Sequence, residues 1–129
     1  MEKQEVKQEV TMGSIKTVED ALNATGMPAT PEFNEVPEEL REYFKAQYEA
    51  AAITKALVGD WKPDWNDDNQ CKWFPWFRMS SGGFVFDDTC CDSSIASAGS
   101  ASRLCFPTEE MATYAGKQFT DVYSRIIMK

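Results

Sequence analysis

WKPDWNDDNQCKWFPWFRMSSGGFVF, residues 61–86, is the stretch whose reading decides the fold. It holds all four tryptophans of the chain and four of its eight phenylalanines. Asp67-Asp68-Asn69 is a turn signal, because short Asx side chains bond their own backbone. Cys71 to Met79 then reads as a strand, with Pro75 at an edge or in a bulge. Ser80-Ser81-Gly82-Gly83 is a connecting turn, and Phe84-Val85-Phe86 a second strand. Strand alternation puts residues 72, 74, 76 and 78 on one face and 73, 75, 77 and 79 on the other. Both faces carry rings, so a sheet covered on one side leaves aromatic surface for a partner.

Working outward, the residues after the hairpin form a small-residue loop from Asp92 to Ala101. A third short strand is expected over Ser102 to Phe106, ended by Pro107. Thr108 caps a last helix, with Glu109 and Glu110 in its positive first turn. Met111, Ala115, Phe119, Val122 and Ile126 form its apolar stripe.

Before the aromatic stretch lies the main helix. Pro37 suits its first position, and Glu38 and Glu39 its first turn. Tyr43, Ala46, Ala50, Ile53 and Leu57 recur at helical spacing, flanked by Leu40, Phe44 and Tyr48. Gly59 ends it. A shorter helix starts after Thr17, with Asp20 completing a capping box and Val18, Ala21 and Leu22 as its apolar face. Gly26 and Pro28 stop it. Met27 to Val36 is an extended, proline-marked linker. Residues 1–14, with the tandem repeat KQEV-KQEV, are too polar to pack and read as a mobile N-terminal tail. Met12 is a candidate alternative start. The expected architecture is α+β: one domain over 15–129, a three-stranded antiparallel meander packed against N-terminal and C-terminal helices.

Composition narrows the chemistry. The chain has 129 residues, net charge −8 and no histidine. Such acidity disfavours nucleic acid, whose phosphates need clustered Lys and Arg. Without histidine no Ser-His-Asp triad or Cys-His pair exists. Cys71, Cys90, Cys91 and Cys105 show no C-x2-C knuckle, so no metal and no cofactor is expected. No export signal is seen, so the location reads as cytoplasmic, with free, buried, inert thiols. No apolar run of about 18 residues is present to span a membrane.

Several blocks resemble a known group when taken together. They are Ile15-Lys16-Thr17-Val18-Glu19-Asp20-Ala21, Trp61-Lys62-Pro63-Asp64-Trp65-Asn66, Lys72-Trp73-Phe74-Pro75-Trp76-Phe77, Ser102-Arg103-Leu104-Cys105-Phe106 and Ala112-Thr113-Tyr114-Ala115-Gly116-Lys117-Gln118-Phe119. In this order they resemble a family of small uncharacterised proteins of gut Bacteroides-type bacteria and their phages or prophages. The resemblance covers roughly residues 15–127 and implies a cytosolic or phage-associated accessory role. It carries no catalytic residue.

The candidate site is the aromatic layer: Trp61, Trp65, Lys72, Trp73, Trp76 and Arg103. The expected function is non-enzymatic binding of a protein partner, or self-association through an edge strand. The alternatives are stacking of single-stranded nucleic acid on the tryptophans and an enzyme using Asp or Cys. Four weaker patterns have plain structural readings. The Ser-Gly segments lack a P-loop and read as turns. Arg103, in an apolar strand, needs a carboxylate such as Asp64, Asp87 or Asp88. Asp64, Asp67 and Asp68 lack the glycine and terminal glutamate of a calcium loop and read as turn caps. Asp87-Asp88 reads as a solvated turn.

Overall fold

The computed structural model describes residues 12–80, 83–94 and 101–129. Four helices and one hairpin are found there: α1 (Val18–Thr25), α2 (Glu38–Val58), β1 (Lys72–Ser80), β2 (Gly83–Asp92), α3 (Glu109–Gln118) and α4 (Thr120–Met128). Residues 12–14 add one helical turn, closed by the Ile15 N–H on the Met12 carbonyl at 3.2 Å. The rest of the expected tail, the tip of the hairpin turn at 81–82 and the loop core at 95–100 lie outside the described residues. The fold class is α+β, with a two-stranded antiparallel sheet. The chain divides into two compact units, Met1–Gly59 with Asp121–Lys129, and Asp60–Thr120.

The first unit is helical. Thr17 caps α1 in a full capping box: its hydroxyl accepts from the Asp20 N–H, and the Asp20 carboxylate accepts from the Thr17 N–H. Asp20 also accepts from the Lys16 N–H, and these bonds hold its carboxyl below the usual range. Gly26 ends the helix at φ 71, a left-handed turn that a side chain resists. In α2 the expected stripe is the buried one: Ala46, Ala50, Ile53 and Leu57 are enclosed, with Tyr43 at its half-buried end. Ala46 and Ala50 in this face, with Ala52 and Ala56 also buried, let neighbouring backbone approach closely. The linker is pinned to α2 by the Tyr48 hydroxyl on the Pro28 carbonyl (2.7 Å) and by Arg41 on the Val36 and Asn34 carbonyls. In α4, Arg125 reaches Glu42 and Glu49 of α2 and Asp121 of its own helix. Desolvation works against the charged guanidinium, yet the hydrogen bond and charge of Glu49 outweigh it and its pKa is raised.

The second unit is the hairpin with α3. The register runs from Lys72↔Asp92 to Ser80↔Gly83, with one irregularity between Trp76 and Phe77, where Asp87 is the extra residue. Pleating places Pro75, Phe77, Phe84, Phe86 and Thr89 on one face. Phe77 stacks on Phe84 (4.7 Å) and meets Phe86 edge-on (6.1 Å). Helix α3 covers this face, and Gly116 lies against Phe86 and Pro75. Cys105 and Phe106 are buried, as are Met111, Ala112 and Ala115 of α3.

The expected third strand is reduced to a single bridge. Trp73 and Phe106 exchange both backbone bonds, at 2.8 and 2.7 Å, and nothing further pairs with β1 on that edge among the described residues. Two prolines account for this. The next outward donor on β1 is residue 75, a proline without an N–H, and Pro107 follows Phe106 directly. Residues 101–104 instead form a turn, closed by the Leu104 N–H on the Ala101 carbonyl. The expected single C-terminal helix is likewise broken. At Phe119 the backbone sits at φ −115, ψ 33, outside helical geometry, and ends α3. The Thr120 hydroxyl then bonds back to the Gly116 carbonyl at 2.8 Å.

Candidate functional site

The face of the hairpin away from α3 carries Phe74, Trp76, Arg78 and Val85, with Asp88 and Cys90. Trp76 and Val85 are each 53% exposed, which is high for side chains of this size. Phe74 flanks Trp76 at 6.3 Å between ring centres. Arg78 pairs with the extra residue Asp87 at 3.2 Å, and Asp88 lies across from Trp76. The result is an apolar strip with an edge of both charge signs. Met79, at the tip of the hairpin, is a further exposed apolar group, on the other face.

The six sequence-predicted residues separate into three groups. Trp76 and Arg103 are exposed, though Arg103 stands on the 101–104 turn and not in a strand. Trp61, Trp65 and Trp73 are half-buried. Lys72 is fully enclosed. Its ammonium donates to the Asp67 carbonyl (3.0 Å) and the Ser93 carbonyl (2.5 Å), and it stands 5.1 Å from the centre of the Trp65 ring. Trp65 in turn donates its indole N–H to the Ser102 hydroxyl at 2.8 Å. Carbonyl dipoles and a ring face take the place of water around the charge. Lys72 and Trp65 thus brace each other within the fold, and their alternation with the other rings gave no sign of it. Val85 is the residue that sequence reasoning missed. Its signal was the period-2 pattern of β2, which puts it beside Arg78.

The acidic turn behaves as a set of caps. Asp64 accepts from the Asn66 N–H and Asp67 from the Asn69 N–H, at 3.0 and 2.9 Å. Asp68 bonds the Ser94 hydroxyl. No group of three or more Cys, Asp or Glu side chains among the described residues is arranged to hold a metal ion. No described helix is long and apolar enough to cross a membrane.

None of the four cysteines is in a disulfide. They are not uniformly buried, as composition suggested. Cys105 is enclosed, Cys90 is exposed, and Cys71 and Cys91 are half-buried. The Cys71 and Cys91 sulfurs touch, at 2.8 Å. A separate groove of about 450 Å³ in the helical unit is lined by Val18, Glu19, Leu22, Asn23, Met27 and Ala29.

No protein-family model, no curated protein and no solved structure matches this chain.

Proposed function

We propose that this is a non-enzymatic binding protein whose hairpin contacts another protein through Phe74, Trp76 and Val85, in the first instance a second copy of itself. The single observation behind this reading is the half-exposed Trp76, braced by Phe74 and bordered by Val85, on a face that α3 leaves open. Aromatic side chains with one open face dominate the centres of protein interfaces. The edge favours a self-complementary pairing. Across a two-fold axis a positive Arg78 meets acidic Asp87 or Asp88 of the other copy, and the reverse contact forms at the same time. The phage-associated context implied by the sequence blocks, and the cytoplasmic location expected from the sequence, would suit a small accessory binder. Stacking of single-stranded nucleic acid would need a basic rim, and the charges described beside Trp76 are an ion-paired arginine and two aspartates.

Sedimentation velocity of the full chain over a concentration series tests the reading. The expected result is a concentration-dependent dimer that Trp76→Ala and Val85→Asp each shift to monomer while the circular dichroism spectrum is retained. A chain that stays monomeric throughout the series overturns self-association. Quenching of tryptophan fluorescence by an oligonucleotide at low salt, lost in Trp76→Ala, would replace the reading with the nucleic-acid one.

A further inference from the structure

We propose that Cys71 and Cys91 are a redox modification site, a dithiol that closes to a disulfide when it meets a low-molecular-weight disulfide such as oxidised glutathione. Three observations converge on this pair. The two sulfurs are already in contact, at 2.8 Å, so closure needs only a small inward movement. Both residues are half-buried, which leaves a path for a small oxidant, whereas Cys105 is enclosed. Their backbone positions also suit a link. Cys91 lies in β2 opposite Trp73, and Cys71 stands just before the first paired residue of β1, where the ladder no longer dictates which way its side chain points.

The chemistry balances with the named co-reactant. The thiolate of one cysteine attacks one sulfur of oxidised glutathione and displaces one glutathione thiolate, leaving a mixed disulfide. The second cysteine thiolate attacks the protein sulfur of that mixed disulfide and displaces the other glutathione. Two protons pass from the protein thiols to the two released thiolates, and two electrons pass from the protein to glutathione.

The link acts on the neighbouring lysine cage. Lys72 is held by carbonyls from two separate segments, Asp67 before β1 and Ser93 after β2. Cys71 ends the first segment, and Cys91 lies near the end of β2, two residues before Ser93. A bond between them ties the two halves of the cage together and closes a loop around the whole hairpin. The oxidised chain then opens this end of the hairpin less often than the reduced one.

Peptide mapping tests the proposal on the full chain, incubated with oxidised glutathione, alkylated, and digested without reductant. The expected product is an intramolecular Cys71–Cys91 cross-link, lighter by two hydrogen atoms, which persists in Cys90→Ser. The melting temperature rises on oxidation, and Cys71→Ser abolishes that rise. A cross-link between Cys90 and Cys91, a link between two chains, or Cys71 and Cys91 still alkylated once Cys90 carries glutathione each overturns it. The wild-type map decides the question without requiring any variant to fold.

Discussion

Gly116 of α3 presses on the Phe86 ring of β2: a methyl group at this position would stand 2.5 Å from one ring carbon and 2.7 Å from Pro75. Helix and sheet are thus spaced for a residue without a side chain. Glycine inside a helix ordinarily costs about 1 kcal/mol relative to alanine. Here the overlap decides the sign, because Pro75 is rigid and Phe86 is held edge-on by Phe77. Gly116→Ala should destabilise the protein by about 1–3 kcal/mol, the usual cost of overpacking. Urea unfolding checks this, and a stabilised variant would show that Phe86 moves aside freely.

Lys72→Met keeps the length of the side chain and removes its charge. The carbonyls of Asp67 and Ser93 lose their donor, and Trp65 loses its cation. The expected loss is about 1–3 kcal/mol. The emission of Trp65 should also shift, because its ring no longer faces a charge. Equilibrium unfolding with fluorescence detection reads both effects.

Arg125 and Glu49 are both largely enclosed, at 18% and 12% side-chain exposure, while Asp121 is 89% exposed. A double-mutant cycle with Arg125→Met and Glu49→Gln should therefore give a coupling of about 1–3 kcal/mol. The same cycle with Asp121→Asn should give well under about 1 kcal/mol, as for other exposed pairs. Equal couplings would refute the ranking by burial.

Asp20 carries a pH signature. Its carboxyl is held below the ordinary 3.8 first by the Lys16 backbone N–H, and then by the hydrogen bonds with the Thr17 side chain and backbone. A depressed folded-state pKa means stabilisation that is complete above the unfolded value and lost as acid titrates the group through the lower folded one. The start of α1 should loosen only under strongly acidic conditions. An NMR titration of the Asp20 carboxyl checks the sign; a midpoint at or above 3.8 contradicts it.

Ile53 is fully buried and Phe119 nearly so. Truncation of either to alanine should cost about 2–5 kcal/mol, measured by denaturant unfolding.

Sequence alone showed the parts of this fold that local chemistry controls. Thr17, Gly26, Gly59 and Thr108 mark helix ends because caps are built from neighbouring residues. The α2 stripe was visible because burial repeats with the helical turn. The break at Phe119 was not, since the apolar period runs from Met111 to Val122 straight through it and only one residue's backbone departs. The short third strand needed the knowledge that residues 75 and 104 would face each other, which a register supplies and a pattern does not. Within the site, alternation put rings on both faces and so implied exposed aromatic surface, but it did not single out Trp76. The enclosure of Lys72 was hidden, because its carbonyl partners lie 5 and 21 residues away and carry no side-chain signal. The Cys71–Cys91 contact was equally silent, being a matter of how two ends of a hairpin meet.

The extra residue at Asp87 divides the hairpin into two segments that are offset by one position on β2. Neither strand can slide along the other without carrying the offset with it, and a slip by one residue would turn Phe84 and Phe86 out to water while drawing Val85 beneath α3. The irregularity thus works as a stop against misalignment, and it bends the free side of β2 away from the straight, continuous template on which fibrils grow.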